Sequence, residues 1–258
     1  MFKMTLEWLR HNYGSDSPQQ VADAEAWLKK YGKDVDPNLI SNWAQWKHLI
    51  EYQPNTPDII PQTMRMMNEG FETELDAHMF VNLLRVPLAY SYFEACEYVL
   101  PRMILEVGVG GDSAISTSVF LRAVERNSGF LWSVDLNPLG KTWVRYGKYT
   151  QEPCYWNFQQ RDSVTYLTEL YAQGRVFDLI FIDSSHTYMD TIEELTIAKK
   201  MTRNILMDDA TFTGNDFDLL PGGVKRAIEV FQFRNEKWIK REYWNGGVVL
   251  LTNVGEKE

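Results

Sequence analysis

The stretch whose reading decides the fold is MILEVGVGGDS, Met103–Ser113. A short apolar run (Met103–Val107) enters a glycine-rich turn, and AISTSVFLRAV follows with helical spacing. Strand, glycine turn and helix in that order open a nucleoside-binding α/β sheet. Glu106 stands two residues before Gly108, at the carboxyl end of the strand, where open α/β sheets take their ligands. A charge in that position is costly unless water or a ligand meets it.

Working outward, strand patterns recur at Phe130–Asp135, before Asp162, and at Phe177–Asp183, Asn204–Asp208 and Val248–Leu251. Helical patterns fall between them, at Ser113–Glu125, Ser163–Ala172, Met189–Met201 and Gly223–Phe233. This alternation predicts an α/β fold, a doubly wound Rossmann-like sheet that is mostly parallel. Trp238–Trp244, Asn245-Gly246-Gly247 and VVLLTN read as two strands joined by a tight turn, giving an antiparallel C-terminal strand.

Residues 1–74 read as an N-terminal helical cap segment and 75–258 as the Rossmann-like domain. Ser17-Pro18-Gln19-Gln20 is a helix start, followed by Val21, Ala24, Trp27 and Leu28 on one face. Trp8, Trp27, Trp43 and Trp46 form either a helical core, a cap lining a substrate pocket, or the contact face of a homo-oligomer. A long helix is expected from Leu75 toward Leu100, broken at Pro87.

Composition narrows the function classes. A net charge of −9 offers no general attraction to phosphate backbones, which argues against nucleic acid as a partner. The two cysteines, Cys96 and Cys154, have no metal-ligand spacing and suit a reducing compartment. The opening MFKMTLEWLRHNYG is too polar for a signal peptide, and no run reaches membrane-spanning length. The expectation is a cytoplasmic protein with no membrane partner.

Acidic residues end the expected strands: Glu106, Asp135, Asp162, Asp183 and the pair Asp208-Asp209. Carboxyl ends of parallel strands share one side of a sheet, so these acids converge on one edge. Asp162 also fits a helix N-cap before SVTYL. Asp135 lies where an acid meets ribose hydroxyls in nucleoside-binding folds. Gly108 and Gly110 match a dinucleotide fingerprint, but Ser113 replaces its third glycine and Asp112 would repel a pyrophosphate. A phosphate-free, positively charged ligand suits this acidic rim, and S-adenosylmethionine is one, with Glu106 reaching its amino group directly or through water.

With ILEVGVGGDS, WSVDLN, RDSVTYL, FDLIFIDSSHTY and ILMDDA in order, the chain resembles the class I S-adenosylmethionine-dependent methyltransferases over residues 75 to 258. The resemblance implies that Glu106, Gly108 and Gly110 line the methionine portion, Asp135 the ribose, and Asp162 and Ser163 the adenine. FIDSSHTY followed by MDDA resembles, more narrowly, the metal-dependent O-methyltransferases of the catechol type and their bacterial small-molecule relatives. That likeness implies Mg2+ at Asp183, Asp208 and Asp209, where Asp209 replaces the family's Asn. It also places His186 where the family has a basic lysine. Three clustered carboxylates suit a hard divalent cation, and imidazole suits proton removal near neutrality. The expected reaction is methyl transfer to a hydroxyl of a small molecule, with Asp183 and His186 as catalytic residues. The alternatives are a metal-independent N- or C-methyltransferase and an NAD-dependent oxidoreductase.

Overall fold

A computed structural model describes His11 and residues 71–85, 88–109, 114–151, 154–214, 221–243 and 247–255. The four front tryptophans, the expected helix after Ser17, Gly110, Asp112 and the Asn245-Gly246 part of the turn lie outside the described residues. Contacts divide the chain into two compact units, Met1–Tyr90 and Ser91–Glu258.

In the first unit, α1 (Glu74–Arg85) starts at a reciprocal cap. The Asp76 amide donates to Thr73 Oγ1 at 3.3 Å, and the Thr73 amide donates to Asp76 Oδ2 at 3.0 Å. The helix expected from Leu75 toward Leu100, with a kink or break at Pro87, is two helices: α1 ends at Arg85 and α2 (Ala89–Val99) begins beyond Pro87. Proline lacks the amide that would continue the ladder and disfavours helical backbone before it. His78 is fully buried, with Glu74 one turn away.

The second unit is built on one seven-stranded sheet in the order β3-β2-β1-β4-β5-β7-β6. Its strands are β1 (Met103–Val107), β2 (Phe130–Asp135), β3 (Trp156–Gln160), β4 (Leu179–Ile182), β5 (Asn204–Met207), β6 (Trp238–Tyr243) and β7 (Val248–Asn253). The first five pair in parallel, while β7 runs antiparallel to both β5 and β6. The expected mixed sheet and its reversed C-terminal strand are therefore present. The edge strand β6 exposes Lys240, Arg241 and Glu242, charges that discourage pairing with another chain.

Alternation along the strands supplies a core to each face. Leu105, Val107, Ile180, Ile182, Ile205, Met207, Val249 and Leu251 point to one side. There they meet residues of α5 (Ser163–Ala172), α6 (Tyr188–Ala198) and α7 (Gly223–Arg234), Leu167, Leu195 and Phe231 among them. On the other side Phe181 packs edge-on against Tyr92 of α2 and Phe120 of α3 (Ile115–Arg126), each with ring centres 5.1 Å away. Pattern reading missed α4 (Lys141–Tyr146) and the tight helical turn at Gly147–Thr150. At six residues, α4 is too short to show an apolar period.

Candidate active site

The parallel ladder continues past the strand ends and sets the acids side by side. The Gly108 amide donates to Val134 O at 2.9 Å, the Asp183 amide to Val107 O at 2.8 Å and the Asp208 amide to Ile182 O at 3.1 Å. Neighbouring strands stand about 5 Å apart, so β2, β1, β4 and β5 deliver their terminal residues to one edge.

Gly108 makes this closeness feasible. Its φ is +86°, and a Cβ built there would lie 1.7 Å from Asp183 O. Only glycine lets the turn after β1 cross the end of β4 at that distance.

Asp183, His186 and Asp209 form the centre of the cluster. His186 Nε2 lies 3.0 Å from Asp183 Oδ1 and 3.0 Å from Asp209 Oδ2. One ligand atom from each of the three falls within 4.8 Å of the others. His186 (φ +60°) and Asp209 (φ +48°) both sit in the left-handed region, unusual for side-chain-bearing residues and common at functional sites. The hydrogen bond to Asp183, helped by the charges of Asp183, Asp209 and Asp208, holds the imidazole above its ordinary pKa against the effect of burial. The edge of Phe212 flanks the ring at 5.8 Å.

Asp208, expected from the sequence as a metal ligand, lies outside that group of three and is 8% exposed. Its Oδ2 accepts a hydrogen bond from Tyr92 OH at 2.6 Å. Its Oδ1 is buried with no hydrogen-bond partner among the described residues. Burial, reinforced by the Asp183 charge, raises this carboxyl to about 7. Buried acceptors normally have partners. An unpartnered carboxylate oxygen that feels the charges of Asp183 and Asp209 suits a hard divalent cation, so the residues present fit the metal that the resemblance implies.

Glu106 occupies a different position from the rim expected for it. It is fully enclosed. Oε1 accepts from Ser116 Oγ at 2.7 Å and Thr117 Oγ1 at 2.8 Å, and Oε2 accepts from Ser133 Oγ at 2.7 Å. Ser133 Oγ in turn accepts from Trp156 Nε1 at 2.8 Å. Three hydroxyls replace the water or ligand that a strand-end charge requires. Burial still lifts this carboxyl to about 7, because desolvation outweighs the hydroxyls.

Asp135 is at the edge as expected. Its Oδ2 accepts from the Val109 amide at 2.9 Å and its Oδ1 from the Asn137 amide at 2.8 Å. Each oxygen keeps a lone pair for a further donor. Asp162 caps α5, accepting from the Thr165 amide at 2.8 Å and from Thr165 Oγ1 at 2.7 Å, and these bonds lower its pKa. The Ser163 hydroxyl turns inward and donates to Glu194 Oε1 at 2.6 Å, while Ser184 Oγ donates to Oε2 at 2.7 Å. Glu194 thus ties the start of α5 to the segment beside Asp183. Sequence reading passed over it, although Thr191, Glu194, Leu195 and Ala198 share one buried helical face. Tyr92 gave no signal at all, since its partner lies 116 residues away.

Comparison with known proteins fits this architecture. Residues 105–210 match the family model described as a methyltransferase domain. Over this stretch the chain is similar to methyltransferase domains. Among solved structures, the chain resembles the O-methyltransferase TomG from Streptomyces achromogenes, involved in tomaymycin synthesis and solved with SAM. That match has a TM-score of 0.52 and 18% identity, covering 72% of this chain and 92% of that one. The SAH-bound methyltransferase PaMTH1 of Podospora anserina matches with a TM-score of 0.52 and 14% identity, over 77% of this chain and 95% of that one. The O-methyltransferase of Bacillus cereus, solved with SAH, matches with a TM-score of 0.50 and 13% identity, over 79% and 99%. At these identities the likeness concerns the fold. No curated protein matches the chain by sequence. No helix among the described residues is long and apolar enough to cross a membrane.

Proposed function

We propose that this methyltransferase domain transfers a methyl group from S-adenosylmethionine to a hydroxyl of a small molecule, assisted by a divalent cation such as Mg2+ held by Asp183, Asp208 and Asp209. The observation that carries the reading is the strand-end cluster of Asp183, His186 and Asp209, with Asp208 in electrostatic contact with Asp183 and Asp209 and one of its buried oxygens without a hydrogen-bond partner among the described residues. When bound, the cofactor supplies an activated sulfonium methyl, and the cation supplies charge that lowers the pKa of a hydroxyl held beside it.

The chain's own residues do the rest. Asp135, anchored by two backbone amides, offers its remaining lone pairs to ribose hydroxyls. Gly108 and Gly110 would line the methionine portion, and Glu106, held by Ser116, Thr117 and Ser133, would support the end of β1 beneath it. Asp162 and Ser163 shape the start of α5 where the adenine would lie. Asp183 orients the imidazole of His186 through the 3.0 Å contact. His186, in its neutral form, would be the base that takes the acceptor's proton. The methyl must then meet the oxygen in line, which is a matter of positioning.

A dinucleotide reading has less support. Strand β7 inserts antiparallel between β5 and β6, which departs from the all-parallel order of dinucleotide folds. The test is S-adenosylhomocysteine production from S-adenosylmethionine with a panel of phenolic and sugar hydroxyls, with and without Mg2+. Turnover that needs the cation and falls by about 10²-fold or more in His186→Ala is expected. Cation-independent turnover, or full activity in both His186→Ala and Asp183→Ala, would refute the mechanism.

A further inference from the structure

Asp208 is pinned from two directions. Its amide is fixed to Ile182 O by the parallel ladder at 3.1 Å. Its Oδ2 is fixed by Tyr92 OH at 2.6 Å. Tyr92 cannot easily move. It is 4% exposed, on a helix that precedes β1, with Phe181 edge-on at 5.1 Å and Phe120 at 6.2 Å. A free carboxylate can rotate and present either oxygen, so a buried one needs a second-partner contact to keep a single orientation. With Oδ2 held by the phenol, the orientation of Oδ1 is set, and Oδ1 is the buried atom with no hydrogen-bond partner among the described residues.

From this we infer that Tyr92 is a positioning residue of the cation site: its hydroxyl orders Asp208 so that Oδ1 is the oxygen offered to the ion. The inference rests on the reading of the cluster as a divalent-cation site. It makes Tyr92 an outer partner of a ligating carboxylate, a role whose loss typically weakens metal affinity about 10–100-fold. The contrary arrangement, in which the phenol draws Asp208 away from the ion, has the opposite signature, since removing the hydroxyl would then tighten binding.

The experiment is a titration of the full chain with Mn2+ in the presence of S-adenosylhomocysteine, following free Mn2+ by electron paramagnetic resonance. Tyr92→Phe keeps the ring and loses only the hydroxyl. The expected result is Mn2+ binding weakened about tenfold or more, with the thermal midpoint changed little. In an Asp208→Asn background the same substitution should add nothing, because its effect passes through that carboxylate. Phe181→Leu, which keeps the hydroxyl but loosens its seat, should give a smaller loss. It carries the test should Tyr92→Phe not fold, and unchanged binding in it would then count against the inference. Equal or tighter Mn2+ binding by Tyr92→Phe overturns the role of Tyr92 and leaves the cation site standing. Absence of Mn2+ binding by the unsubstituted protein overturns both.

Discussion

Two carboxylates at one sheet edge, on strands separated by β4, meet opposite fates. Glu106 is the penultimate residue of β1 and Asp208 follows β5, and burial lifts each to about 7. Around Glu106 the protein closes the account with three hydroxyls and a tryptophan behind them. Around Asp208 it supplies the Tyr92 phenol and the Asp209 backbone, leaves Oδ1 without a hydrogen-bond partner among the described residues and sets the charges of Asp183 and Asp209 against it. The first arrangement is complete without a ligand. The second leaves a buried acceptor without a hydrogen-bond partner among the described residues. Buried acids at a sheet edge are therefore told apart by what satisfies them, rather than by their position along the strand.

The contrast is broken most severely at the open cluster. Asp183→Ala removes a carboxylate ligand and the partner of His186, and turnover should fall about 10³-fold or more, measured as S-adenosylhomocysteine release. Chelation should have a comparable effect on the unsubstituted protein, reversed by added Mg2+. Near-normal rates in either case would place the chemistry elsewhere.

Next in size is the joint between the two regions. Gly108→Ala forces a Cβ into Asp183 O and strains a positive φ. A loss of at least about 2 kcal/mol in urea unfolding is expected. An unchanged midpoint would mean that the turn after β1 does not cross β4 as described.

The closed network has a pH signature. The Glu106 carboxyl is raised in the folded state relative to the unfolded chain. The fold therefore binds an extra proton at intermediate pH, and the stability it brings is full below about pH 4.5 and disappears as pH rises through about 7. Unfolding free energy of the metal-free protein should fall with rising pH across that window. Glu106→Gln should remove a share of about 2–3 kcal/mol from the fall, and an unaltered pH dependence in that variant would show that Glu106 is not the group titrating. The smallest effect is at Asp162, where Asp162→Ala loses the cap of α5 at a cost of about 1 kcal/mol in thermal unfolding.

The contrast also marks how far sequence reading reaches. Strand ends were legible because LIFID and ILMDD place an acid straight after an apolar run, and parallel order then fixes the shared edge. The helix over Ser163–Ala172 was legible in full from its cap and apolar spacing. What was not legible is which acids find partners. Ser116, Thr117 and Ser133 reach Glu106 only through packing, and Tyr92 reaches Asp208 across the sheet's other face. Such pairings depend on three-dimensional neighbours that no local period encodes. Glu194 was within reach, as a charge on a buried helical stripe.

The most direct measurement is a crystal structure of the full chain with S-adenosylhomocysteine and Mn2+, read by the metal's anomalous scattering. The account predicts a single peak within bonding distance of Asp183, Asp208 Oδ1 and Asp209, with Glu106 still enclosed by its three hydroxyls. A cofactor-bound protein with no peak at that cluster, or with the ion bound instead by Glu106, would contradict it.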